Sequence, residues 1–201
     1  MLDNAAVRWE QLFDDLEAQL EAGSRRDLDA EVADRTRRER AGVRLQQRLT
    51  ACIGSLIDIR TLGDAGVRGI LVDLGADWVP VRERSGATDQ AERTTLVPLT
   101  AVLSVLVDPG PGKPQQRSSG LVPTGPAKRF GLGYALRALS RDRSRVRLTD
   151  VSGLTHTGTI DAVGADALDF AEHPGDLPPR PENVTARRIV PFSAVALVGT
   201  A

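Results

Sequence analysis

The sequence predicts an α+β protein: an N-terminal helical arm followed by two copies of one small β-rich module. Three observations predict it. Residues 67–81 read VRGILVDLGADWVPV and residues 156–170 read HTGTIDAVGADALDF. Gly69, Gly75 and Asp77 recur 89 positions later as Gly158, Gly164 and Asp166, with Leu71, Leu74, Val79 and Val81 matched by Ile160, Val163, Leu168 and Phe170. Further on, LVPLTAV at 96–102 is echoed by IVPFSAV at 189–195, an offset of 93 that puts four extra residues in the intervening loop. Before either copy, Trp9, Leu12, Phe13, Leu16 and Leu20 fall at i, i+3, i+4, i+7 and i+11, one stripe of a helix.

Composition narrows the class. The 201 residues suffice for one or two domains. A module of about 65 residues sits near the lower limit for folding alone, so each must borrow surface from the other or from the arm. Hydrophobic residues at 41% and charged residues at 26% are ordinary for a globular protein. A net charge of −1 gives no global attraction to nucleic acid or anionic lipid. One cysteine, Cys52, excludes an internal disulfide framework and a cysteine metal cluster, and suits a reducing compartment. The acidic N-terminus lacks the apolar core of a signal peptide, and no apolar run reaches the ~18 residues that span a bilayer. These features place the protein in the cytoplasm with no membrane partner.

The arm, 1–42, opens with a helix over 3–22 that Asp3 or Asn4 can cap. Gly23-Ser24 interrupts it, and a mostly charged helical stretch follows over 24–40, with Glu31/Arg35 and Asp34/Arg38 spaced for i, i+4 pairing. A short helix near 43–49 leads into the first module, 43–107. Apolar and β-branched enrichment between turns places strands near 55–62, 66–74, 77–84, 94–98 and 101–107. Residues 108–130 hold five prolines and four glycines without periodicity and read as a linker. The second module, 131–201, repeats the plan: a helix at 131–141, then strands near 144–150, 156–163, 166–172, 187–191 and 194–199. Pro98 and Pro191 each remove a backbone donor from a fourth strand. The stretch 102–107 is nearly all apolar, and a bare apolar edge finds a partner strand.

A short helix, then five short bent strands with a glycine in the second and an aspartate opening the third, resembles the Sm-like (LSm) fold, a small SH3-type barrel. V-x-G-x-x-x-x-x-G-A-D and V-P-[LF]-[TS]-A-V carry the resemblance over 43–107 and 131–199. It implies two barrels in tandem. Uridine-gripping Sm proteins add an asparagine after the third-strand aspartate and an Arg-Gly pair in the fourth strand. Here those segments read DWVPV, DALDF, VPL and VPF. The chain as a whole is similar to a group of actinobacterial proteins sometimes labelled Fis-type regulators. Fis-type DNA binding needs a C-terminal helix-turn-helix, whereas this C-terminus reads as strands.

Catalytic signatures are missing. His156 and His173 share no metal-ligand spacing with Cys52 or with carboxylates and read as surface or loop residues. There is no G-x-S-x-G elbow, Walker loop or dinucleotide fingerprint. Gly75 marks a bend that needs a flexible backbone or positive φ, and Asp77 and Asp166 read as turn residues bonding a nearby N–H. The expectation is a non-enzyme without cofactor or metal. The main reading is an adaptor that binds protein partners or itself through its barrels and through the arm face Trp9, Phe13, Leu16 and Leu20. The alternative is a nucleic-acid-binding regulator. Seven basic residues face one aspartate over 128–147, and Arg137, Arg141, Arg143, Arg145 and Arg147 form the candidate site. Arg143, Arg145 and Arg147 alternate, so on one strand they share a face suited to phosphates. Their competing explanations are charge protecting a strand edge and pairing with Asp161, Asp166, Asp169 and Glu172.

Overall fold

The structure, a computed structural model, describes residue 28 and residues 30–39, 41–83, 93–108, 129–175 and 180–200. The chain divides into two units, Met1–Arg44 and Leu45–Ala201. The described part of the first unit is a helix over 30–39 (α1), exposed on nearly every side. Asp34 pairs with Arg37 and Arg38, and Arg35 pairs with Glu39 instead of Glu31. The helix expected over 3–22, with Trp9, Phe13, Leu16 and Leu20, lies outside the described residues.

The second unit begins with α2 (Leu45–Thr50) and the strands β1 (Leu56–Thr61), β2 (Gly66–Leu71), β3 (Trp78–Glu83), β4 (Arg93–Pro98) and β5 (Val102–Val107). It continues with α3 (Leu132–Arg141) and the strands β6 (Arg145–Asp150), β7 (Thr155–Val163), β8 (Ala167–Glu172), β9 (Ala186–Pro191) and β10 (Val195–Thr200). Alternation explains the strands locally. Ile57, Ile59 and Thr61 of β1 point inward between half-exposed Asp58 and exposed Arg60, and Val146 and Leu148 of β6 are buried between exposed Arg145 and Arg147. Pro98 and Pro191 each end a fourth strand and hand the chain to a 3₁₀ turn, Leu99–Ala101 or Phe192–Ala194.

The strands do not make two barrels. All ten join one open antiparallel sheet in the order β5-β1-β2-β3-β4-β10-β6-β7-β8-β9. This overturns the expected helical arm followed by two separate Sm-like, SH3-type barrels. The reason lies at the centre. Leu96 and Thr95 of β4 pair with Val198 and Gly199 of β10, so two strands that separate barrels would leave as edges satisfy each other. The Thr200 hydroxyl extends the joint, accepting from Thr94 N–H (3.2 Å) and donating to Thr94 C=O (3.3 Å).

Each half of the sheet repeats the other in register. Ile59↔Val105 in one half corresponds to Leu148↔Val198 in the other, and Val79↔Val97 to Leu168↔Val190. Gly69 and Gly158 occupy the same place. A Cβ on Gly69 would lie 2.1 Å from Arg82 O, and one on Gly158 2.0 Å from Ala171 O, so the second and third strands pass too close for a side chain. Gly75 serves space rather than positive φ: a Cβ there would enter the Trp78 indole at 2.1 Å. The β1–β2 and β6–β7 turns do need positive φ, at Gly63 (74°) and Gly153 (90°), and these two glycines touch. A Cβ on Gly63 would lie 2.2 Å from Gly153 N, and one on Gly153 2.3 Å from Gly63 O.

The core follows the joint. One cluster, around Ile57, Ile59, Leu71, Val79 and Val97, takes in Ala196 and Leu197 from β10. The other, around Leu136, Val146, Leu148, Ile160 and Phe170, takes in Trp78 and Leu96 from the first half. Each half completes its core with residues of the other. Leu96→Ala is therefore expected to cost about 2–5 kcal/mol and to shift the whole sheet in one urea transition. Two separate transitions, only one of them moved, would refute a shared core.

Candidate functional site

The Gly-Ala-Asp turns are alike in backbone and unlike in surroundings. Gly75 N–H donates to Trp78 O and Gly164 N–H to Ala167 O, each at 2.8 Å. Leu99 N–H donates to Asp77 O at 2.8 Å and Phe192 N–H to Asp166 O at 2.7 Å. A helix side chain latches each glycine carbonyl, Gln46 Nε2 to Gly75 O (2.6 Å) and Arg137 Nη2 to Gly164 O (2.8 Å). The carboxylates then diverge. Asp77 Oδ1 accepts from Leu132 N–H at 2.6 Å, capping the α3 N-terminus from 55 residues away rather than bonding within its own bend. Phe130 O accepts from Ala76 N–H and Trp78 Nε1–H, each at 3.0 Å, sealing that turn. Asp166 is exposed, and its carboxylate has no hydrogen bond or ion pair among the described residues.

The expected arginine face is only partly assembled. Arg137 holds Gly164, as above. Arg141 closes the last turn of α3, where a cation complements the carbonyl end. Arg143 stands in the helix–strand turn with φ of 48°, off the strand. Arg145 and Arg147 alone share a face of β6, and both are exposed with no ion pair among the described residues. β6 lies between β10 and β7, so its charges protect no edge. Asp161 and Glu172 pair instead with Arg187 (2.7 Å) and Arg188 (2.8 Å) of β9. Arg147 borders a cleft of about 380 Å³ that also takes in Glu83, Thr95, Thr149 and Gly199 from both halves.

The sequence reading missed an aromatic pair. Phe130 and Tyr134 stack with centroids 4.1 Å apart and both are exposed. With Arg137 and Arg141 they fall at i, i+4, i+7 and i+11, a spacing legible in the sequence once Phe130 is read with the helix rather than with the linker.

The histidines also differ from expectation. His156 is half-buried between Glu172 (Nδ1 to Oε2, 3.5 Å) and Asp150 (Nε2 to Oδ2, 3.9 Å). His173 is buried, with Nδ1 3.0 Å from Pro174 O. Among the described residues, no three His, Cys, Asp or Glu side chains converge as metal ligands do. The Arg188 hydrogen bond, reinforced by its charge and by His156, outweighs burial and holds the Glu172 carboxyl below its ordinary 4.5. At Asp150 burial pushes upward, but hydrogen bonds from Ser152 and Leu154, with the charge of His156, outweigh it and leave the pKa below 3.8.

Both outer strands of the sheet carry exposed apolar side chains. Leu103 and Leu106 lie on β5, and Ile189 on β9. Among the described residues neither strand has an outer neighbour. No described helix is long and apolar enough to cross a membrane. No family model, curated protein or solved structure matches the chain.

Two measurements follow. Asp77→Ala, which removes a helix cap, is expected to cost about 0.5–2 kcal/mol, against less than about 0.5 kcal/mol for Asp166→Ala, both read by urea denaturation. A folded-state pKa held below the unfolded value stabilises above that unfolded value and loses the contribution as pH falls through the folded one. The stability gap between wild type and Glu172→Gln is therefore expected to be full at neutral pH and to close as pH falls below 4.5. A gap that widens toward acid would contradict the Arg188 pairing.

Proposed function

We propose that the protein is a non-catalytic adaptor that binds protein by strand addition at the ends of its sheet. The observation that carries this reading is the pair of outer strands without an outer neighbour among the described residues, β5 with Leu103 and Leu106 exposed and β9 with Ile189 exposed. Backbone donors and acceptors along such an edge supply affinity, and flanking apolar side chains supply specificity. The single cysteine, Cys52, is free, which fits a reducing cytoplasmic setting. Affinity purification of the full chain from native lysate, with and without nuclease, tests the reading. Protein partners are expected to survive nuclease and to be lost from Leu106→Lys. Loss of every partner on nuclease treatment would overturn it.

The Phe130–Tyr134 stack at the helix that carries Arg137 and Arg141, with Arg145 and Arg147 exposed on β6, supports nucleic-acid binding as a second reading. Exposed aromatic faces hold bases while arginines hold phosphates. Under this reading Arg145→Ala and Arg147→Ala each lower the log–log salt slope of binding by roughly 0.7–0.9, and Tyr134→Ala weakens single-strand binding. A parent protein that binds no oligonucleotide at low salt would refute it.

A further inference from the structure

We propose that the partner at the sheet edges is a second copy of this chain: β9 of one copy adds to β5 of the next, in the register that already joins β4 to β10. The proposal rests on the edge-docking reading above and names its partner.

The molecule carries the template for this contact. The pairings of one half map onto those of the other, so β9 is the counterpart of β4 and β5 the counterpart of β10. Inside the chain the fourth strand of the first half meets the fifth strand of the second. That single contact leaves one fifth strand and one fourth strand over, and these are β5 and β9, at opposite ends of the sheet. Carrying the internal register across, Ile189 meets Val105 and Arg188 meets Leu106 of the next copy.

Side chains that the internal joint buries are exposed in their counterparts at the ends. Leu96 is 8% exposed and Ile189, its equivalent, 78%. Ala196 is fully buried, whereas Leu103 is 62% exposed. The Gly75–Asp77 turn is covered by Phe130 and Leu132, while the Gly164–Asp166 turn is exposed and has no such cover among the described residues. Three places on the repeat depart from their counterparts in the same direction, the direction a missing neighbour produces.

Charge does not oppose the contact. An arginine on an outer strand ordinarily wards off pairing, but Arg187 and Arg188 of β9 are each neutralised within the chain, by Asp161 and Glu172. One feature of the template is lost: Val107 stands where Thr200 clasps Thr94, so the contact between copies lacks that hydroxyl. The two edges are different surfaces, so the contact is heterologous. It propagates from copy to copy until a ring closes or a filament grows.

Two substitutions at exposed positions test this, Ile189→Lys on β9 and Leu106→Lys on β5, with circular dichroism to verify folding. Light scattering after gel filtration is expected to give an assembly for the wild type and the mass of one chain for either variant. Mixing the variants restores a single joint, because one retains its β5 and the other its β9, and is expected to give a dimer and nothing larger. A variant that alone still dimerises, or a mixture that stays monomeric while the wild type assembles, overturns the head-to-tail contact. A monomeric wild type that still retains a foreign protein, lost on Leu106→Lys, overturns self-assembly and leaves edge docking standing. A monomeric wild type that retains none overturns both.

Discussion

The rest of the structure depends on the pairing of β4 with β10. Only two Cα partners define it, Leu96↔Val198 and Thr95↔Gly199, with Thr200 clasping Thr94 beside them. A five-stranded module of about 65 residues has a marginal interior by itself. The joint remedies this by letting each half fill the other's core, Trp78 and Leu96 passing one way and Ala196 and Leu197 the other. The continuous sheet is thus the means by which two marginal modules reach an adequate core.

The joint also explains why equal sequences sit in unequal settings. Asp77 and Asp166 share a turn, an incoming backbone bond and a latched glycine, yet only Asp77 finds a helix N-terminus. Gly75 and Gly164 likewise share a place in sequence, but only Gly75 lies under an indole; a Cβ on Gly164 would stand 3.3 Å from Ala167 O. A motif therefore acquires its role from what the joint brings over it.

Local structure was legible and long-range structure was not. Every strand of the second unit lies where apolar and β-branched enrichment between turns places it, and in β6 inward Val146 and Leu148 between Arg145 and Arg147 add a period of two. The single sheet left no such trace. Thr94 and Thr200 are 106 residues apart, and pairing between edges of similar composition has no sequence signature. The barrel expectation came from resemblance, which describes a module and is silent on how two modules meet. At the arginines, alternation misled at Arg143 because the αL turn ending α3 absorbs that residue before β6 begins. Phe130 follows a proline-rich stretch without periodicity, which hides its stack on Tyr134 from a sequence reading. Gly75 is required by the Trp78 indole above it and not by a positive φ, and a glycine in a sequence does not tell a twisted backbone from a crowded one.

The contact between Gly63 and Gly153 bears on how such a chain can change over generations. Duplication ordinarily frees one copy to drift while the other keeps the original role. Here the same turn of both copies meets backbone to backbone, and a methyl on either would intrude within 2.3 Å of the other. Neither copy shields its twin from mutation. The two turns bear a single inherited constraint at two addresses, and redundancy in the sequence supplies no spare part.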